Sequence, residues 1–205
     1  MEQSSAYERM MATARQWLAG KDPVRIAAAS GADFDPERGE FRILSLGREV
    51  CIRYPDYSFS SEVSEWHQIS LLHYLNLADG SIPRGEWISL SQMNSGMVRG
   101  GGFEKKFEAL VRSKLGNLPP RAVEEACRRL GMRLEESNAD LCARWDLAPH
   151  FPVMIKLWFA DPEDDLPGSG RMFVDRTADC YLTIEDTVLV CEYLILDRLT
   201  EELGL

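Results

Sequence analysis

Val153-Met-Ile-Lys-Leu-Trp-Phe159 is a short apolar run interrupted by a single lysine, the pattern of a buried strand. Asp161-Pro-Glu-Asp-Asp165, dense in negative charge, follows it and runs into the turn formers Pro167-Gly-Ser-Gly170, after which Arg171-Met-Phe-Val-Asp175 returns. This order predicts an antiparallel hairpin with a long loop. Thr183-Ile-Glu-Asp186 then opens an apolar-periodic segment, with Thr183 as N-cap and Asp186 where a capping box prefers Glu. The helix so started is expected to reach about Glu202. Val188, Cys191, Ile195 and Leu199, flanked by Leu189, Leu194 and Leu203, give it a broad apolar stripe that covers the sheet. Burying five or six such side chains is a gross gain of about 10 kcal/mol, large beside a typical net stability.

Upstream the pattern is helical, then extended, then helical again. Ser4 or Ser5 is placed to cap a first helix from about Ala6 to Ala19, stopped by Gly20. Asp22-Pro23 reads as N-cap and first helical position of a second helix ending at Ser30-Gly31. Phe41–Leu46 and Glu49–Tyr54 flank Gly47-Arg48, which predicts a hairpin with a type II′ turn. Phe41 and Ile43 are read on one face and Val50, Ile52 and Tyr54 on another, in a sheet with one wet face. Ser61 or Ser64 starts an amphipathic helix carrying Val63, Trp66, Ile69, Leu72, His73 and Leu75 to Ala78. Gly100-Gly-Gly102 precedes a helix expected from Phe103 to Leu115; its amides either cradle an anion at the helix N-terminus or make a flexible lead-in. Pro119-Pro120 separates that helix from one over Arg121 to Leu130. Met132–Glu135 and Leu141–Leu147 read as further strands. With helices in pairs and strands in adjacent groups, the fold class is α+β, with a mainly antiparallel sheet, helices packed on it and a long C-terminal helix. Residues 1–205 are expected to form one globular domain, with a helical N-terminal segment of about 1–31 packed on it.

The chain has 205 residues, 45% of them apolar and 27% charged, the composition of an ordinary globular protein. A net charge of -10 disfavours nucleic acid and anionic membrane as partners, because phosphate would be repelled. No run approaches the roughly 18 apolar residues of a membrane span, and Met1-Glu-Gln-Ser-Ser-Ala-Tyr-Glu8 lacks the basic and apolar regions of a signal peptide, so the expected location is cytoplasmic. Five cysteines, Cys51, Cys127, Cys142, Cys180 and Cys191, with no Cys-x-x-Cys pair, suit a reducing compartment and read as small buried hydrophobes.

The series Leu72-His-Tyr-Leu75, Gly85-Glu-Trp-Ile-Ser89, Trp158, Phe173-Val-Asp175, Tyr181-Leu182 and Glu185-Asp186 before a terminal helix resembles the bacterial and archaeal family catalogued as domain of unknown function 3786. The likeness runs from about Asp22 to the end. The resemblance implies a fold and a lineage, and it carries an association with anaerobes, corrinoid and one-carbon genes and cysteine-rich iron–sulfur segments. This chain has no such cysteine segment, which sets direct electron transfer aside.

Chemistry is sparsely marked. His67, His73 and His150 are not at metal-ligand spacing, and no His-Glu-x-x-His, Gly-x-Ser-x-Gly or P-loop pattern occurs. Asp161, Asp175 and Glu185, with Glu163, Asp164, Asp165 and Asp186 beside them, are the metal candidates, since clustered carboxylates suit hard divalent cations; capping and the helix dipole account equally for Glu185 and Asp186. Trp87 and Trp158, with His73, Tyr74 and Tyr181, are the candidates for a pocket lined for a flat, mostly apolar ligand, for which the resemblance suggests a corrinoid or tetrapyrrole. Trp66 and Trp145 belong to the same aromatic set. The expected function is a non-catalytic ligand-binding or accessory module, with a small molecule or protein as partner and a link to corrinoid or one-carbon metabolism. The alternative is a divalent-metal-dependent hydrolase or transferase using the carboxylates. The sequence specifies no cofactor and no oligomeric state.

Overall fold

The computed structural model describes every residue except Met1, Ser95, Pro162 and Asp164, and no side chain of residues 2–5 or 96–98. The chain begins with α1 (Glu2–Leu18), which starts ahead of the expected serine caps, so Ser4 and Ser5 lie within it. Asp22 accepts a hydrogen bond from Val24 N and Pro23 occupies the first position of α2 (Pro23–Ser30), closed by Gly31 at φ 70°. Both caps match the chain's local chemistry.

A three-stranded antiparallel sheet follows, β1 (Asp33–Asp35), β2 (Glu40–Ser45) and β3 (Arg48–Arg53), in that spatial order. The short β1 has no hydrophobic alternation to announce it. The hairpin departs from its expected form in two respects. Ser45 pairs with Arg48, so the loop is Leu46-Gly47, with φ 47° and 77°; positive φ at both central residues is the type I′ geometry, one residue earlier than Gly47-Arg48. Phe41 pairs with Ile52 and Ile43 with Val50, which places all four on the same buried face rather than on two. Leu44, on the other face, is 65% exposed, so the sheet does have one wet side.

Next comes α3 (Glu65–Leu77), with Ser64 rather than Ser61 as its cap, accepting from His67 N. It is more enclosed than an amphipathic pattern implies: His67, Ile69, Ser70, Leu71, Leu72, Tyr74 and Leu75 are all buried. The helix threads the core, and its buried polar groups find partners there, Ser70 in the carbonyl of Trp66 one turn back and His67 in Ser45 of β2.

The second sheet takes β4 (Trp87–Ile88), then β5 (Arg133–Leu134), β6 (Leu141–Ala148), β7 (Phe151–Trp158) and β8 (Ser169–Asp175), in the order β4-β8-β7-β6-β5, all antiparallel. The hairpin expected from Val153 to Asp175 is present, with Val153 opposite Val174 and Trp158 opposite Ser169. The sheets join where Leu46 N donates to the carbonyl of Asp146, at 3.0 Å.

Between β4 and β5 lie α4 (Gly96–Lys114) and α5 (Pro120–Arg129). Because α4 starts at Gly96, the glycine triplet sits in its second turn, where amides bond to carbonyls four residues back. It is therefore no N-terminal anion cradle. Gly100 has a packing reason instead: a Cβ there would lie 2.5 Å from Ser91 Cα and 2.7 Å from Leu90 O.

The C-terminal rod is continuous but not uniform: α6 (Ile184–Leu189), a π-helical stretch Val190–Leu196, and α7 (Asp197–Glu202). Thr183 caps it as expected. The rod packs on α3, α4 and α5 and lays Arg198 over Trp145 of β6, 5.2 Å from the ring centre. The protein is thus α+β with antiparallel sheets and a long C-terminal helix. Among the described residues no helix is long and apolar enough to cross a membrane.

Candidate functional site

Adjacent residues on α3 diverge to different surroundings. Tyr74 points inward and stacks on Tyr181 at 5.2 Å and 21°, and both rings are fully buried. The Tyr74 hydroxyl donates to Ser30 O at 2.5 Å and accepts from His150 N at 3.1 Å. The Tyr181 hydroxyl donates to the carbonyl of Ser81 and lies 3.1 Å from His150 Nδ1. Its one proton being committed, the phenol oxygen accepts there from Nδ1–H. Burial pushes both phenols above their ordinary pKa. These two candidates therefore form a closed core stack, with every hydroxyl engaged.

His73 faces the other way. Its Nδ1 is 2.8 Å from Asp186 Oδ1, and Asp186 Oδ2 accepts from the Thr183 hydroxyl at 2.8 Å. Burial alone would raise the Asp186 carboxyl, but the hydrogen bond from His73, the charge of that imidazole in its protonated form, and the bonds from Thr183 bring it below the usual carboxylate value. The N-terminal dipole of α6 favours the same charge. Trp17, at the end of α1, lies 5.3 Å from the imidazole, tilted by 45°, and remains 50% exposed.

A cleft of about 540 Å³ opens here, lined by Trp17, His73, Asn76, Leu77, Thr183 and Asp186. A second, of about 390 Å³, lies on the Met10 side of Trp17 and His73 and shares both residues. Met10, Trp17 and Leu77 are all large apolar side chains with substantial exposure, and they lie beside the polar groups of His73, Asn76, Thr183 and Asp186. Three separate elements, α1, α3 and α6, supply the cleft walls.

The remaining pocket candidates are elsewhere. Trp87 pairs with Asp175 at the sheet edge and carries the Arg144 guanidinium 5.7 Å from its ring. Trp158 ends β7 and donates from Nε1 to Asn138 O at 3.3 Å. Of the five, only His73 lines the cleft. Trp17, which sequence reasoning missed, forms a half-exposed wall of it; the available signal was its seven-residue spacing from Met10, which sets both on one face of α1.

The three metal candidates are not brought together. Asp161 is exposed on the loop and accepts from Glu163 N at 2.9 Å. Glu185 pairs with Arg99 at 3.2 Å on the surface. Asp175, 1% exposed, is saturated by four donors: Arg84 N, Gly85 N, Thr177 N and the Thr177 hydroxyl, at 2.7–3.1 Å. Asp164 lies outside the described residues. Among the described residues no three His, Cys, Asp or Glu side chains come close enough to hold a metal ion together. All five cysteines are free thiols; Cys127 and Cys191 are fully buried, and burial pushes both to about 12.

The family model described as Domain of unknown function (DUF3786) matches residues 22–197. No curated protein and no solved structure matches the chain. His73, Asn76, Leu77, Thr183 and Asp186 fall inside the matched segment, whereas Trp17 comes from the helix that precedes it.

Proposed function

The chain belongs to the family described as Domain of unknown function (DUF3786), and from that premise we propose that it is a non-catalytic small-molecule-binding module whose ligand, planar and largely apolar, occupies the cleft between Trp17 and His73. One observation carries the reading: a half-exposed tryptophan forms the wall of a cleft of about 540 Å³ whose floor holds an oriented histidine–carboxylate pair. A volume in this range takes a drug-sized molecule, and an indole face contributes area at small entropic cost. Binding rather than turnover fits the polar inventory, because among the described residues the hydroxyl lining the cleft, that of Thr183, is committed to Asp186. A cytoplasmic location belongs to the same reading, supported by five free thiols. The net charge of -10 supports a partner that is neither nucleic acid nor anionic lipid.

The test is a titration of ¹⁵N-labelled protein with 2-naphthol, and separately with cobalamin as the corrinoid probe, following the indole N–H signals of the five tryptophans. The expected result is a saturable shift of the Trp17 signal, assigned through Trp17→Phe, with Trp87 and Trp158 unmoved. Absence of any Trp17 shift with both probes, or equal drift of all five signals, overturns the proposal.

A further inference from the structure

We infer that the cleft selects planar ligands that carry a hydrogen-bond donor, a ring N–H or a phenolic O–H, and that Asp186 sets this preference by holding His73 in the tautomer whose Nε2 is a bare acceptor. The inference rests on the binding reading above and specifies the class of ligand within it.

An ionised carboxylate has no proton to give, so the 2.8 Å contact between Asp186 Oδ1 and His73 Nδ1 requires the hydrogen on Nδ1. Asp186 is held as an acceptor twice over, since Oδ2 takes the Thr183 hydroxyl proton at 2.8 Å while Thr183 Oγ1 accepts in turn from Asp186 N at 3.2 Å. A neutral imidazole with hydrogen on Nδ1 has its lone pair on Nε2. The side chains of His73 and Asp186 are each 13% exposed, so the pair is sheltered from competing water while the imidazole still forms part of the cleft wall. Neither of the other side-chain oxygens beside it competes for a ligand's donor: Asn76 Oδ1 accepts from Lys21 Nζ at 2.7 Å, and the Thr183 hydroxyl donates to Asp186 and accepts from Asp186 N. A ligand lying against Trp17 therefore meets an acceptor at Nε2, and one offering only acceptors of its own leaves the Nε2 lone pair without a donor. Asp186 acts here as a positioning residue, through His73.

The matched probes are indole and 1-methylindole, which share a ring system and differ in the donor, with quinoline as a planar acceptor. Binding is read at pH 8 from the Trp17 indole signal. Wild-type protein should bind indole about fivefold to tenfold more tightly than 1-methylindole, the worth of one sheltered hydrogen bond. Asp186→Asn inverts the logic: its amide N–H donates to Nδ1, its carbonyl keeps the Thr183 bond, and the proton moves to Nε2, so quinoline should now outcompete indole. His73→Phe, which retains a ring against Trp17, should bind indole and 1-methylindole equally. Equal binding of the two indoles by wild-type protein overturns the donor preference while leaving the cleft reading intact. An unchanged order of preference in Asp186→Asn overturns the tautomer assignment. If none of the three probes moves the Trp17 signal, the binding reading falls and this inference with it.

Discussion

Ser45 Oγ lies 2.6 Å from Nε2 of His67, and the same hydroxyl donates its proton to the carbonyl of Leu147. With that proton spent, His67 must be the donor, which fixes its Nε2–H tautomer in the neutral form. The contact joins β2, α3 and β6 at the seam between the two sheets.

Acid should therefore weaken the fold through His67. Burial first, then the charges of Arg48 and Arg198, lower its pKa to about 3, against about 6.5 in an unfolded chain. The unfolded chain takes up the proton first, so the stability contributed by neutral His67 is complete above pH 6.5 and is lost as the pH falls from there toward 3. Urea unfolding at pH 7 and 4.5 should differ by about 2 to 3 kcal/mol from this group alone. His67→Gln should remove that share of the difference, and an unchanged pH dependence in the variant would refute the assignment.

Asp175 should be a structural anchor rather than a ligand. Its four donors come from the loop before β4 and from the turn after β8, so the carboxylate ties the sheet edge together. Burial alone would raise its pKa, but these bonds hold it below the usual value, which makes its contribution one that is lost below about pH 4. Asp175→Ala, leaving those donors without an acceptor, should cost about 3 kcal/mol or more in chemical denaturation. Adding Mg²⁺ or Ca²⁺ to wild-type protein should leave the denaturation midpoint where it was.

The glycine triplet divides into one required residue and two replaceable ones. Gly101 and Gly102 have nothing within 4 Å of a Cβ position, so alanine at either should stabilise α4 by about 0.5 to 1 kcal/mol. Gly100→Ala drives a methyl into the backbone of Leu90 and Ser91 and should destabilise by about 1 to 3 kcal/mol. Thermal melts of the three single variants distinguish these signs directly.

The elements visible in the sequence are those whose cause is local. The Val153–Phe159 run, the Thr183 and Asp22 caps and the Gly20, Gly31 and Gly131 stops all sit where periodicity and capping place them. What escaped depends on partners distant in the chain. Whether α3 is half-buried or enclosed is decided by the elements packed around it, and its buried His67 looks polar until Ser45 is found beside it. The hairpin register turned on Leu46 accepting positive φ, a conformation its side chain gives no reason to expect. The π-helical stretch carries no Pro or Gly to mark it. The cleft was legible only in part: His73 stood out as a histidine on an apolar helix, but its partner Asp186 is 113 residues away and Trp17 reaches it from a third helix.

Native mass spectrometry of the chain, purified without oxygen from its own organism, tests the binding claim most directly. The account predicts a species heavier than the 23.2 kDa chain by the mass of one small planar molecule, lost when Trp17 is replaced by Ala while the fold is retained. A bare chain from the wild-type protein, or an added mass that survives Trp17→Ala unchanged, would contradict it.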